Sequence, residues 1–285
     1  MRQLIKIAGS EVTITRIGFG CARIYGCSEL KVSARLIEAA LTAGIRHFDT
    51  APSYGGGESE SVLGELLVGM ADVTISTKIG IPRPHPAVAR SRARVVYRRI
   101  VRPLLSHFPR AKSKLLQVIT RSGKPVAEKD SGLQRRKLSC DEVLRGLEDS
   151  IKKLKRSFLD LYLLHEPDQF IFTDELSELF YRLQRDRVIG AFGLAYGRVA
   201  DASPAFGTVI QSRHAGILPA RSNSGHTRIF HGVLRHSWRE PCGGKGEGGP
   251  TEYLGQVLAT HPDAAVIFSA SSPSQIRQVT SNLLI

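Results

Sequence analysis

Four side chains carry most of the chemistry in this sequence, and three of them close apolar runs. Asp49 ends "IRHFD", Lys78 ends "VTISTK" and His165 ends "LDLYLLH". Tyr54 lies five residues beyond Asp49 and is followed by Gly55, Gly56 and Gly57. A free phenol, with a pKa of roughly 10, is a poor acid at neutral pH. A nearby ammonium stabilises the phenolate, so Lys78 is expected to lower the pKa of Tyr54 by about one to three units. Asp49 would hold Lys78 in place and offset the cost of burying it. His165 would orient a carbonyl and share the proton relay. A phenol tuned in this way protonates a carbonyl oxygen. The hydride that completes such a reduction must come from a nicotinamide cofactor, because no side chain supplies one.

Taken singly, each residue has an ordinary reading: a turn-capping acid, a packing tyrosine, a solvated lysine and a satisfied core histidine. The set has meaning only if the chain brings the four together. Eight short apolar segments provide the means: 16–20, 45–49, 73–78, 159–165, 188–195, 207–212, 227–233 and 264–269. Runs of this length, unalternated and rich in Ile, Val, Leu and Phe, suit strands covered on both faces. Helical patterns at 33–44, 58–70, 139–157, 173–186 and 250–260 lie among them. Ser33 and Gly44 are the expected cap and stop of the first. Ser139 and Glu142 have the spacing of a capping box. Strand-helix alternation with eight strands predicts a (β/α)8 barrel, the rival being a doubly wound open sheet. In such a barrel functional groups sit at the C-terminal strand ends, where Asp49, Lys78 and His165 fall, with Tyr54 in the loop at the same rim. The first fourteen residues alternate around Gly9 and Ser10 and are expected to form a hairpin plugging the barrel bottom. The links 196–206 and 213–226 are short, so the fifth and sixth helices are expected to be small or missing.

Of the 285 residues 42% are hydrophobic, enough for a real core. No run of about 18 apolar residues predicts a membrane span, and the N-terminus lacks a signal-peptide core. The chain is therefore read as cytoplasmic. Cys21, Cys27, Cys140 and Cys242 form no CxxC pair and are expected to be reduced thiols. Residues 83–138 hold sixteen Lys/Arg against two acids, Glu128 and Asp130, and so carry the whole +14 of the chain. This stretch breaks the alternation and reads as a long insertion after the third strand. Such a segment attracts anionic surfaces or an anionic partner in a salt-dependent way. It has only Tyr97 and Phe108 to stack on bases and no nucleic-acid module, so specific nucleic-acid binding is not expected. Arg83, His85 and Arg90, soon after Lys78, are the basic residues placed to meet an acidic substrate.

The stretches "GIRHFDTAPSYGGGESESVLGELL", "ISTKIG", "LEDSIKKLKRSFLDLYLLHEPD" and "AAVIFSASSPSQIRQV" together resemble the aldo/keto reductase superfamily in content and order. The resemblance implies a single (β/α)8 barrel over 1–285 carrying the insertion. It also implies an Asp-Tyr-Lys-His tetrad, which falls on Asp49, Tyr54, Lys78 and His165. It implies NADP(H), ahead of NAD(H), extended across the barrel mouth without a Rossmann domain, and a small-molecule carbonyl substrate. Gln211 matches the family's carboxamide-binding glutamine. For the phosphates, "SASSPSQIRQ" places serines before a proline at a helix start, where free N–H groups and the helix dipole favour an anion. Ser269, Ser271, Ser272, Gln275, Arg277 and Gln278 are the candidates there. The sequence departs from the family at Gln275, where a basic residue is common, and at Gln278 and Val279, where Glu-Asn is common. It departs again at Ala195 and Tyr196, in place of Ser-Asn. "GKGEGG" at 244–249 matches GxGxxG literally but follows no strand, so it reads as a flexible loop. The alternative function is a regulatory or accessory protein that binds the cofactor with little turnover.

Overall fold

The computed structural model describes residues 3–26, 29–84, 135–200, 206–214, 225–234 and 249–281. Residues 85–134 of the basic segment, including His85 and Arg90, lie outside these, as does "GKGEGG" apart from Gly249.

All eight expected runs are strands of one closed barrel. In chain order they are β3 (Ile17–Gly20), β4 (His47–Asp49), β5 (Thr74–Ile79), β7 (Leu159–His165), β9 (Ile189–Ala195), β10 (Val209–Arg213), β11 (Thr227–His231) and β12 (Ala264–Phe268). Each pairs in parallel with the next, and β12 returns to β3. The open-sheet rival is excluded. Two small pairs complete the strands: β1 (Leu4–Lys6) with β2 (Thr13–Thr15), and β6 (Arg136–Lys137) with β8 (Phe170–Ile171).

Side chains alternate between the two faces of a strand, and the barrel shows what each face does. On β7, Tyr162 and Leu164 point to the outer layer under the helices, while Leu161 and Leu163 fill the barrel interior. His165 is next on the interior face. The antiparallel β1–β2 hairpin closes the opposite end, as expected: Ile7 and Ile14 are buried among Leu161, Val209, Ile229 and Ala265. The Ala8 N–H donates to Thr227 Oγ1 at 2.8 Å, fixing the hairpin to the base of β11.

Helices cover the outside. The helix Cys140–Leu154 opens on Ser139 with the full capping box, and buries Val143, Leu147 and Leu154. Each such side chain contributes about 1.5–3 kcal/mol when removed from water. The first helix runs Leu30–Thr42, one turn earlier than expected, with Glu29 as its cap position. Ser33 is not its cap. Its hydroxyl is buried, accepting from the Tyr25 N–H and donating to the Tyr25 carbonyl, so a tertiary contact overrides the local signal. Among the described residues no α-helix lies between β9 and β10 or between β10 and β11.

The three glycines after Tyr54 serve a close approach. Gly55 has φ +59°, its N–H donates to the Ala22 carbonyl, and a Cβ there would stand 1.8 Å from Ile24 O. Gly57, at φ +97°, ends the short 3-10 turn Tyr54–Gly56. Only glycine brings this loop against the β3 loop without strain, and that contact sets where Tyr54 stands.

Candidate functional site

The barrel mouth opens into a cavity of about 770 Å³ whose lining includes Asp49, Tyr54, Lys78, His165 and Gln211. Asp49, Lys78, His165 and Gln211 each come from a different strand near its C-terminal end. Asp49 stands beside Ser76 in the register, Lys78 beside Leu163, and His165 beside Ala195, itself beside Gln211. Polar residues at the last interior position of apolar strands are how this fold delivers them to one place.

Asp49 Oδ1 accepts three hydrogen bonds: from Lys78 Nζ at 2.7 Å, Ser76 Oγ at 2.7 Å and Gln211 Nε2 at 3.0 Å. Lys78 Nζ also donates to the Thr50 carbonyl at 2.8 Å. The ion pair is 2% and 5% exposed, so it stands only because these bonds offset its desolvation. Burial alone would raise the pKa of Asp49, but the charge and hydrogen bond of Lys78 outweigh it and hold the carboxyl below its ordinary range. Burial alone would lower that of Lys78, but Asp49 and Tyr54 outweigh it and hold the ammonium above its ordinary range.

Tyr54 lies over this pair, with Lys78 Nζ 4.6 Å from its ring centroid and His165 edge-on at 5.9 Å between centroids. Its pKa moves opposite to the sequence expectation. Burial pushes the phenol up, Lys78 pulls it down, and Asp49 and Glu166 push it up again, for a net rise. Burial is the largest of these influences, and Asp49 offsets part of the pull of Lys78. Tyr54 therefore holds its proton firmly at neutral pH. His165 is brought down to about 3, first by burial and then by the charge of Lys78, so it is a neutral imidazole.

Two buried polar atoms here have no partner among the described residues, Gln211 Oε1 and His165 Nδ1. Gln211 spends its amide N–H₂ on Asp49, which leaves an acceptor suited to a carboxamide N–H₂. This is the feature that fits a nicotinamide. Of the remaining candidates, Ser269, Ser271, Gln275 and Gln278 line the cavity. Ser271 donates through its N–H and its hydroxyl to Gln275 Oε1, at 2.8 and 3.0 Å. Ser272 caps the helix Pro273–Thr280 instead, accepting from the Gln275 N–H. Arg277 faces a second hollow, against Arg35 and Glu38 of the first helix.

Arg83 does not greet the mouth. It donates to the Gly57 carbonyl and to the buried Glu60, at 2.6 Å, and pairs with Asp149 at 3.2 Å. It clamps the loop behind Tyr54. Tyr196 lines the cavity with its ring under the Arg198 guanidinium, and its carbonyl is 2.7 Å from His231 Nε2. Sequence reading missed Arg23, Glu166 and His231 in this lining. For His231 the signal was present, since it sits two residues after the interior Ile229.

Comparison with known proteins agrees with this fold. The model of the Aldo/keto reductase family matches residues 16–203. Aldo-keto reductase YhdN of Bacillus subtilis is 24% identical over 247 residues, 80% of this chain and 61% of that protein. Pyridoxal 4-dehydrogenase of Microbacterium luteolum is 40% identical over 74 residues, 24% of this chain and 21% of that protein. The chain thus spans less than two thirds of the curated relatives it matches. Among solved structures, an aldo-keto reductase of Klebsiella pneumoniae in complex with NADPH superposes with a TM-score of 0.61 at 16% identity, covering 100% of this chain and 90% of that one.

Proposed function

The chain belongs to the aldo/keto reductase family, and on that premise we propose that it is a nicotinamide-dependent oxidoreductase interconverting a carbonyl compound and its alcohol. The observation that carries this reading is the meeting of Tyr54 with the buried Asp49–Lys78 pair and the neutral His165 at the floor of one cavity.

A bound nicotinamide supplies the hydride, and Gln211 Oε1 would hold its carboxamide. Tyr54 Oη holds the proton that the carbonyl oxygen receives as the hydride reaches the carbonyl carbon. Lys78 stabilises the phenolate left behind, and Asp49 keeps Lys78 charged and aimed. His165, uncharged, orients the carbonyl oxygen toward Tyr54. Ser269, Ser271, Gln275 and Gln278, which line the cavity, would meet the cofactor's phosphates, with Ser272 and Arg277 as the outer candidates. NADP(H) is proposed ahead of NAD(H), and the whole chain is proposed to act as one domain.

The test is a titration of the protein with NADPH and NADH separately, followed by intrinsic fluorescence. We expect saturable quenching, tighter with NADPH, and reduction of a simple aldehyde. Tyr54→Phe should cut turnover by about 10²-fold or more while leaving the cofactor titration nearly unchanged. Absence of saturable binding, or full activity in that variant, would overturn the proposal.

A further inference from the structure

Glu166 takes no part in the proton transfer above, yet its side chain lines the same cavity one residue beyond His165. Its backbone has φ +52°, a left-handed conformation uncommon for a residue with a side chain. Two bonds hold it there: the Glu166 N–H donates to the Ala195 carbonyl at 2.8 Å, and the Gln169 N–H donates to the Glu166 carbonyl at 3.1 Å. The carboxylate is held as well. The Gly197 backbone lies against it and favours its charged form, although burial raises its pKa overall, and a Cβ on Gly197 would stand 2.4 Å from Glu166 Oε1. A carboxylate has about four acceptor positions, and this contact uses one. The nearby Arg198 is committed to Asp168 at 2.7 Å, while Arg213 acts on Glu166 only through its field. Glu166 shares this cavity with Tyr54 and directly follows His165 in the chain.

We propose that Glu166 is a specificity-determining residue. It accepts a hydrogen bond from a hydroxyl carried by the carbonyl substrate, and it turns away carbonyl compounds that carry an anionic group. The inference rests on the carbonyl-reductase reading. A fixed acceptor in a partly desolvated cavity rewards a donor and repels a like charge more strongly than one in bulk water. Arg83, one of the basic residues that the sequence offered an acidic substrate, is engaged elsewhere.

The experiment compares kcat/KM for glyceraldehyde, propionaldehyde and succinic semialdehyde, with NADPH, in the wild type, Glu166→Gln, Glu166→Lys and Gly197→Ala. The wild type should prefer glyceraldehyde over succinic semialdehyde by about tenfold or more. Glu166→Gln, which keeps the shape, should narrow that ratio, and Glu166→Lys should invert it. Gly197→Ala, by displacing the carboxylate, should narrow it as well. Unfolding midpoints and the NADPH titration of each variant separate loss of fold from loss of selection. If Glu166→Lys does not fold, the ratio in Glu166→Gln decides. Turnover of all three aldehydes without regard to charge, or ratios unmoved in Glu166→Gln, overturns this inference and leaves the reductase reading standing. No turnover of any of the three, together with no cofactor binding, overturns both.

Discussion

Gln211 Nε2 donates to Asp49 Oδ1 at 3.0 Å, a bond that crosses the barrel mouth between strands 162 residues apart. It gives the carboxylate a third donor, and it leaves Gln211 Oε1 an acceptor without a partner among the described residues. Gln211→Leu removes both functions. It should cost about 1–3 kcal/mol in urea unfolding and weaken NADPH in the fluorescence titration. Gln211→Glu should be worse on both counts, because it sets a second carboxylate against Asp49.

Lys78→Met and Asp49→Asn each break a pair that is almost wholly buried. Each should cost about 3–5 kcal/mol and abolish turnover, and the double variant should cost less than the sum. The pH dependence has two arms. The pKa of Asp49 is depressed on folding, so its contribution is present above the unfolded value of about 4 and is lost as pH falls through the folded value. That of Lys78 is raised, so its contribution is present below about 10 and is lost as pH rises through the folded value. Wild-type stability minus that of Lys78→Met, followed by urea unfolding at stepped pH, should be flat between these arms.

His165 stays neutral down to about pH 3, because burial and then Lys78 disfavour its charged form. The kcat/KM for reduction should therefore show no histidine inflection between about pH 5 and 8, the window in which an unperturbed imidazole titrates. A stopped-flow pH profile checks this. An inflection near 6.5 that disappears in His165→Gln would mean that the imidazole is not neutral.

At the other end of the barrel Asp160 is buried, and its Oδ2 accepts from the Ile75 N–H at 2.8 Å. Burial raises its pKa to about 6, more than that bond and Arg156 can offset. A raised acid binds more protons folded than unfolded, so stability should decline as pH rises from about 4 through 6, by up to ~3 kcal/mol. Asp160→Asn keeps an acceptor for Ile75 and should flatten that decline in thermal scans.

The barrel was legible because each of its strands is a run of apolar residues covered on both faces, a property that local sequence displays. Ser139 with Glu142 was legible for the same reason, since a capping box closes within four residues. What escaped depends on neighbours distant in the chain. Ser33 looks like a cap until Tyr25 takes its hydroxyl. Arg83 looks like a free cation until Glu60 is found beneath it. The direction of the Tyr54 shift depends first on how deeply the phenol is buried and then on how far Asp49 offsets Lys78, which no spacing reveals. Asp49, Lys78 and His165 were legible as strand-end positions, because the apolar runs that carry them mark the strands, while Tyr54 stands in the short turn after β4. Glu166 did not read at all, since its reach into the cavity depends on a left-handed turn and on the bare backbone of Gly197.

The join between β12 and β3 has a consequence for the order in which the molecule can be made. The Arg16 guanidinium donates to the carbonyls of Leu258, His261 and Ala264, and the Val266 N–H donates to the Arg16 carbonyl. The two sides of this seam are separated by about 250 residues of chain, as expected of a fold that closes on itself. During synthesis β3 emerges well before β12, and one of its edges has no mate until β12 arrives. A strand edge left waiting is a template for wrong pairing. The Arg16 latch can therefore close only after all eight barrel strands have been made.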